Sequence, residues 1–159
     1  MMPMHEMAVD PRRGWRRAAR SRLRMELAGL SFARANGRSP EEYARHLWGR
    51  GAKTWYGTGE VSPASYLLRE AEAFRLLYPA VLFAIDELGD HLARLTFVEG
   101  CLGGWGRDQW GLARSLGLRK GHVCRYCRES FRQWSSQLGL VALPEPQMED
   151  RCILTVRRP

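Results

Sequence analysis

The spacing of the apolar residues changes once along this chain, and that change restricts the fold more than any other feature. Up to residue 90, apolar residues recur every three or four positions, which is typical of amphipathic helices. Residues 91–98 (HLARLTFV) alternate instead, with Ala93, Leu95 and Phe97 on one side, as in a half-buried strand. Helices that lead into strands in this order favour an α+β fold.

Three helices are predicted before that change. The first spans residues 11–35, and the second begins where Ser39 and Glu42 fit a capping box. The third spans residues 63–88, with a kink or a split expected near Tyr78 because Pro79 lacks a backbone N–H. The apolar stripe of this third helix alternates steps of four and three and contains Leu67, Ala71, Phe74, Tyr78, Val81, Ile85 and Leu88.

Helices and strands are also predicted after the first strand. Two helices are expected at about 108–116 and 122–138, and the second of them carries two cysteines. Short strands are expected at 141–143 and 152–157. The predicted architecture is therefore a set of N-terminal helices packed on a small, mostly antiparallel sheet, together with a cysteine-bearing helix.

The positive charge is concentrated at the N-terminus. Of the formal net charge of +8, residues 1–38 carry +6, so we divide the chain into a basic N-terminal helix (1–38) and a single α+β ligand-binding domain (39–159). Nearly all basic residues are Arg, which resembles a general composition bias as much as selection for phosphate binding. A solvated helix face is therefore favoured over a nucleic-acid or membrane-surface helix.

The sequence also predicts a cellular compartment. No apolar run approaches the roughly 18 residues of a membrane span, and residues 1–10 do not have the pattern of a signal peptide. We therefore expect a cytoplasmic protein without a membrane span, in which the thiols are reduced.

All four cysteines lie in the last 59 residues, and two of them open a predicted helix as His122-x-Cys124-x-x-Cys127. The positive end of the helix dipole and the neighbouring basic residues would lower the pKa of these thiols. Cys101 follows the predicted strand 91–98, and Cys152 begins the last strand, so the four thiols would converge if those strands pair.

Such a cluster has four interpretations. Cys101, Cys124, Cys127 and Cys152 would hold zinc, with His122 as a substitute ligand, or an iron cofactor such as an iron–sulfur cluster or haem. They would alternatively be redox or nucleophilic cysteines, or small buried hydrophobic residues. The last interpretation suits Cys127 best, because it lies on the apolar stripe of its helix.

Residues 91–156 resemble the C-terminal half of the 4-vinyl-reductase-type ligand-binding domains and of the L-2-amino-thiazoline-4-carboxylic acid hydrolase-like proteins. The resemblance is carried by LARLTFVEGC, CRYCRESFRQWSSQLGL and EDRCILTV. It implies an α+β pocket for a small organic ligand, and a metal held by cysteines in some members. Other members hydrolyse a cyclic amidine. The family usually has Gly-Asp before its last cysteine, where this chain has Asp150-Arg151.

The leading hypothesis is a small-molecule-binding protein with a cysteine-rich, metal-binding site. The sequence is compatible with a homodimer, and it does not decide whether the protein acts alone or beside a partner enzyme. The expected pocket walls are Trp105, Trp110, Tyr126 and one helix face with Phe74 and Tyr78.

Two rival hypotheses belong to other classes. The first is a cysteine-dependent hydrolase of a small cyclic amidine or acyl substrate, in which Cys101 attacks and Glu99 or His122 moves protons. The second is a nucleic-acid-associated module that uses the N-terminal arginines.

Overall fold

The computed structural model of this chain describes residues 10–99, 106–148 and 151–159, with side chains at all of these positions except 99 and 106–109. The described residues form an α+β fold, as predicted, with six helices and four strands. In chain order these are α1 (Pro11–Ala35), α2 (Pro40–Trp48), α3 (Ala52–Tyr56), α4 (Pro63–Leu77), β1 (Leu82–Leu88), β2 (Leu92–Glu99), α5 (Gly106–Ser115), α6 (Lys120–Ser136), β3 (Val141–Pro146) and β4 (Cys152–Arg157).

The four strands form one antiparallel sheet in the order β1-β2-β4-β3. Alternate residues of the two central strands point to one face and are buried there, as period-two patterning requires. Helices α4 and α6 pack against this sheet. The buried residues of the central strands are Ala93, Leu95, Phe97, Cys152, Leu154 and Val156.

Helix α1 has the bounds that its apolar spacing predicts. The side chain of Asp10 accepts a hydrogen bond from the backbone N–H of Arg12 and caps the helix. Leu23, Leu27 and Leu30 are buried in the same hydrophobic cluster as the sheet residues. The basic N-terminal helix is therefore part of the common core.

The capping box of α2 is also confirmed. The Ser39 hydroxyl accepts a hydrogen bond from the Glu42 N–H at 3.1 Å, and the Glu42 carboxylate accepts one from the Ser39 N–H at 2.7 Å. The short helix α3, in contrast, was not expected between its flanking glycines. Gly51 and Gly57 flank α3 with φ of 98° and 82°, a backbone region that glycine adopts without a steric penalty.

The predicted break near Tyr78 is confirmed, but the prediction that the helix extends beyond it to Leu88 is wrong. Helix α4 ends at Leu77, and Tyr78 leaves the helical region with φ −132° and ψ 71°. Pro79 explains this end, because it disfavours helical geometry at the preceding residue and offers no N–H to continue the hydrogen bonds. The chain then enters strand β1 at Leu82.

A β-bulge explains why β1 has helix-like apolar spacing. The register of β1 against β2 shifts between Ile85 and Glu87. At this shift β1 has one residue more than β2, which is a β-bulge. The bulge places Ile85 and Leu88 on the same side of the sheet although they are three positions apart. Three apolar residues of β1 therefore lie opposite buried residues of β2: Phe83 opposite Phe97, Ile85 opposite Leu95 and Leu88 opposite Ala93.

Gly29 is needed where α1 meets α2. A Cβ at Gly29 would contact the hydroxyl of Tyr43 and lie 2.8 Å from its Cζ. Tyr43 cannot easily withdraw, because its ring stacks on Tyr126 with centroids 5.4 Å apart.

We expect Gly29→Ala to destabilise the protein by about 1–3 kcal/mol in urea unfolding. Gly111→Ala, in α5 with no described atom within 4 Å of the added Cβ, should be neutral or stabilise by up to about 1 kcal/mol. Stabilisation by both substitutions would contradict this assignment.

Candidate functional site: an aromatic cavity among the helices

A cavity of about 260 Å³ lies among helices α1, α2, α3, α4 and α6. Half of its lining residues are aromatic, and one of them, Trp55, which is 59% exposed, lies where the cavity meets solvent. Polar side chains also reach it, namely Arg22, Glu26, Glu70, Cys127 and Ser130. The aromatic lining residues are Trp48, Trp55, Phe74, Tyr78, Tyr126, Phe131 and Trp134.

Three of the five residues predicted as pocket walls line this cavity: Phe74, Tyr78 and Tyr126. Trp110 lies elsewhere, packed against the core with the Lys120 ammonium 5.8 Å from its ring centroid. Trp105 lies outside the described residues.

Glu26 is the centre of a hydrogen-bonded cluster on one wall. Its carboxylate accepts hydrogen bonds from Tyr126, from Arg22 at 3.1 Å and from Tyr78 at 3.3 Å. Trp48 extends the cluster by donating to the Tyr126 hydroxyl at 2.9 Å. Burial and the Glu26 charge raise the pKa of Tyr126 well above its usual value, so this phenol stays protonated. Burial opposes the charge of Arg22, but Tyr78 and Glu26 raise its pKa nonetheless.

Glu70 lies on another part of the wall and has neutral partners. Its carboxylate accepts hydrogen bonds from the Tyr56 hydroxyl at 2.7 Å and from the side chain of Trp134. Burial raises the pKa of Glu70 to about 7, although these two hydrogen bonds act in the opposite direction. Glu70 is therefore near half-ionised at neutral pH.

The sequence analysis missed both carboxylates, although a signal was present. Glu26 lies within the apolar stripe of α1, three residues after Leu23 and four before Leu30. Glu70 has the same relation to Leu67 and Phe74 in α4. A carboxylate in an apolar stripe is placed towards the protein interior, where it requires hydrogen-bond partners.

Three of the four cysteines of the predicted cluster lie in the described residues. Cys127 and Cys152 are buried, Cys124 is half-buried, and none of these three forms a disulfide. Cys124 and Cys152 lie close enough to Cys127 for their charges to raise its pKa. Cys101 lies outside the described residues.

The predicted lowering of the thiol pKa is wrong for Cys127. Burial is the largest influence and raises the pKa of Cys127 well above its usual value, and the Glu26 charge acts in the same direction. Cys127 lies in the second turn of α6, beyond the first turn in which the helix dipole acts most strongly. Burial likewise raises the pKa of Cys152 to about 12. These two thiols are thus poor nucleophiles at neutral pH.

Within residues 10–99, 106–148 and 151–159, no group of three or more His, Cys, Asp or Glu side chains is arranged to hold a metal ion. Zinc and iron therefore stay predictions that rest on the sequence.

Of the predicted catalytic residues Cys101, Glu99 and His122, the structure describes the side chain of His122. His122 caps α6, because its Nδ1 accepts a hydrogen bond from the Arg119 N–H at 3.0 Å. Burial and the charges of Arg34, Arg119 and Arg125 lower the pKa of His122. Glu99 ends β2, but its side chain, like Cys101, lies outside the description.

The arginines of α1 face solvent at 12, 13, 16, 17, 20 and 24, as the amphipathic pattern predicts. None of the helices described is long and apolar enough to cross a membrane.

Comparisons of this chain with protein families, with curated proteins and with solved structures find no match. The resemblance of residues 91–156 to the 4-vinyl-reductase-type domains therefore stays a prediction. The site has to be interpreted from its own geometry.

Proposed function

We propose that this protein binds a small organic molecule in the aromatic cavity. The observation that carries the proposal is an open volume of about 260 Å³ surrounded by seven aromatic side chains. A cleft with this lining exposes apolar surface to water, and a bound apolar molecule would cover that surface. Ligand sites usually combine mainly apolar walls with a few polar groups that fix orientation, and Glu26 and Glu70 fit the latter role.

The size of the cavity restricts the ligand. Sites for drug-sized molecules usually measure about 300–1,000 Å³, so this one suits a compact molecule. The family resemblance supports the same general function, although it implies a pocket between sheet and helices. The cavity proposed here is instead enclosed by helices.

The proposal is tested by a substitution that introduces a bulky side chain into the cavity. Ala73 lines it, and Ala73→Phe would occupy the volume without removing any polar wall group. We use the neutral fluorophore N-phenyl-1-naphthylamine as the probe and expect saturable, one-site binding with increased emission. Ala73→Phe should weaken this binding at least tenfold, because the ring takes the place of the probe.

The matched control is Ala18→Phe, which makes the same change at an exposed position of α1. It should bind the probe like the unaltered protein. Circular dichroism of both variants verifies that they are folded. An unaltered protein without saturable binding would disprove the proposal, and so would a folded Ala73→Phe variant that binds the probe normally.

A further inference from the structure

We propose that the cavity selects a compact organic cation, an amine or quaternary ammonium group with apolar substituents, that lies against Glu70 and the indole rings of Trp55 and Trp134. This inference rests on the proposed function, because it names the class of ligand that the same cavity binds. It depends on three features of the described wall. Glu70 is a carboxylate without a counter-ion, aromatic rings line the same cavity, and the cationic side chain of the wall, Arg22, is already paired with Glu26.

The two carboxylates of the cavity differ in their partners. Glu26 forms an ion pair with Arg22 at 3.1 Å. Among the ion pairs of the described residues, none involves Glu70, whose hydrogen-bond donors are the uncharged Tyr56 and Trp134. A carboxylate removed from water without a counter-ion is unfavourable, so a cationic ligand would complete this part of the wall.

The rings near Glu70 provide the second feature. Cations are attracted to the faces of aromatic rings, and to Trp most strongly. This chain already uses the interaction in two places: the Arg69 guanidinium lies 5.5 Å from the ring centroid of Tyr56, which hydrogen-bonds to Glu70, and Arg22 lies 5.5 Å from that of Tyr78 in the cavity wall. Trp55 and Trp134 present further ring surface to the cavity itself.

An anionic ligand fits this wall poorly. Arg22 is the cationic side chain among the described lining residues, and both Glu26 and Tyr78 already accept its hydrogen bonds. An anion would also lie near the carboxylates of Glu26 and Glu70. A neutral ligand would fill the volume but leave the ionised Glu70 without a counter-ion.

Binding of a cation should depend on pH through Glu70. Its pKa of about 7 in the free protein means that a cation must compete with a proton for the carboxylate. The titratable groups that face Glu70 are Tyr56 and Tyr66, and burial raises the pKa of both well above neutrality. Across the cavity, Cys127 also stays protonated, and Arg22 stays charged beside Glu26. Cation affinity should therefore fall about tenfold from pH 8 to pH 6.

The experiment compares a cation with its neutral isostere. Phenyltrimethylammonium and tert-butylbenzene have nearly the same shape but differ by one charge, and each is titrated as a competitor of N-phenyl-1-naphthylamine at pH 8. We expect the cation to bind at least tenfold more tightly than the isostere. Glu70→Gln should abolish this difference while the naphthylamine probe still binds, which shows that the cavity is intact.

The matched control is Glu72→Gln, which makes the same substitution at an exposed position of the same helix. This variant should keep the preference for the cation. Equal or tighter binding of tert-butylbenzene, with normal probe binding, would overturn the cation inference and leave the proposed function standing. A cation preference that survives Glu70→Gln would overturn it as well. If neither competitor nor probe binds, the proposed function itself fails.

Discussion

Simultaneous replacement of Leu23 and Leu27 by alanine is expected to destabilise this protein by roughly 4–10 kcal/mol. Both side chains are buried, with exposures of 4% and 0%. Each truncation of a buried leucine costs roughly 2–5 kcal/mol, through lost burial and the cavity left behind. The total stability of a domain is typically about 5–15 kcal/mol, so the two losses together remove a large part of it. Urea unfolding followed by circular dichroism measures the effect.

The control for this prediction changes charge instead of packing. Arg12, Arg13, Arg16 and Arg17 are exposed, and glutamine at all four positions removes the charge while keeping a similar helical preference. Because exposed charges contribute little, the quadruple variant should unfold within about 1 kcal/mol of the unaltered protein. A larger loss from the arginines than from the leucines would show that α1 is held by its charged face.

The same quadruple variant tests the nucleic-acid hypothesis. If these arginines contact phosphates, oligonucleotide binding will weaken steeply as salt rises and will disappear in the glutamine variant. Weak binding that is the same in both proteins would instead agree with a solvated helix face.

Local signals in the sequence predicted most of the helices. The apolar stripe of α1 and the Ser39–Glu42 capping box are interactions within a few residues, so the sequence displays them directly. Strand β1 could not be recognised in this way. Its bulge at Ile85–Glu87 reproduces the helical spacing of three, and only its pairing with β2 shows that the segment is extended.

The site was predicted less completely than the fold, for a different reason. The stripe of α4 identified Phe74 and Tyr78 as inward-facing, but a stripe does not reveal whether the space beyond it is filled. The cavity depends on how five helices meet. The cysteine pattern predicted activated thiols from their position in α6, whereas burial, a property of the tertiary structure, decides the pKa of Cys127 in the opposite direction.

Removal of the Glu26 carboxylate is the second substitution with a large expected effect. Glu26→Leu would leave Arg22 without its counter-ion and remove the acceptor for the hydroxyls of Tyr78 and Tyr126. Breaking a buried ion pair by deleting one partner typically costs about 3–5 kcal/mol. The Arg22 side chain is 35% exposed and can turn towards water, so we expect about 3 kcal/mol in urea unfolding.

A double variant separates the charge of Arg22 from the other consequences of losing Glu26. In Arg22→Met with Glu26→Leu, no unpaired guanidinium remains, and two apolar side chains of similar length occupy the wall. Replacement of a whole ion pair by packed apolar groups is often neutral, so the double variant should recover a large part of the loss. Recovery will stay incomplete, because the Tyr78 and Tyr126 hydroxyls still lack the acceptor that Glu26 provides. Equal stability of the single and double variants would show instead that these hydroxyls, and not the guanidinium, determine the cost.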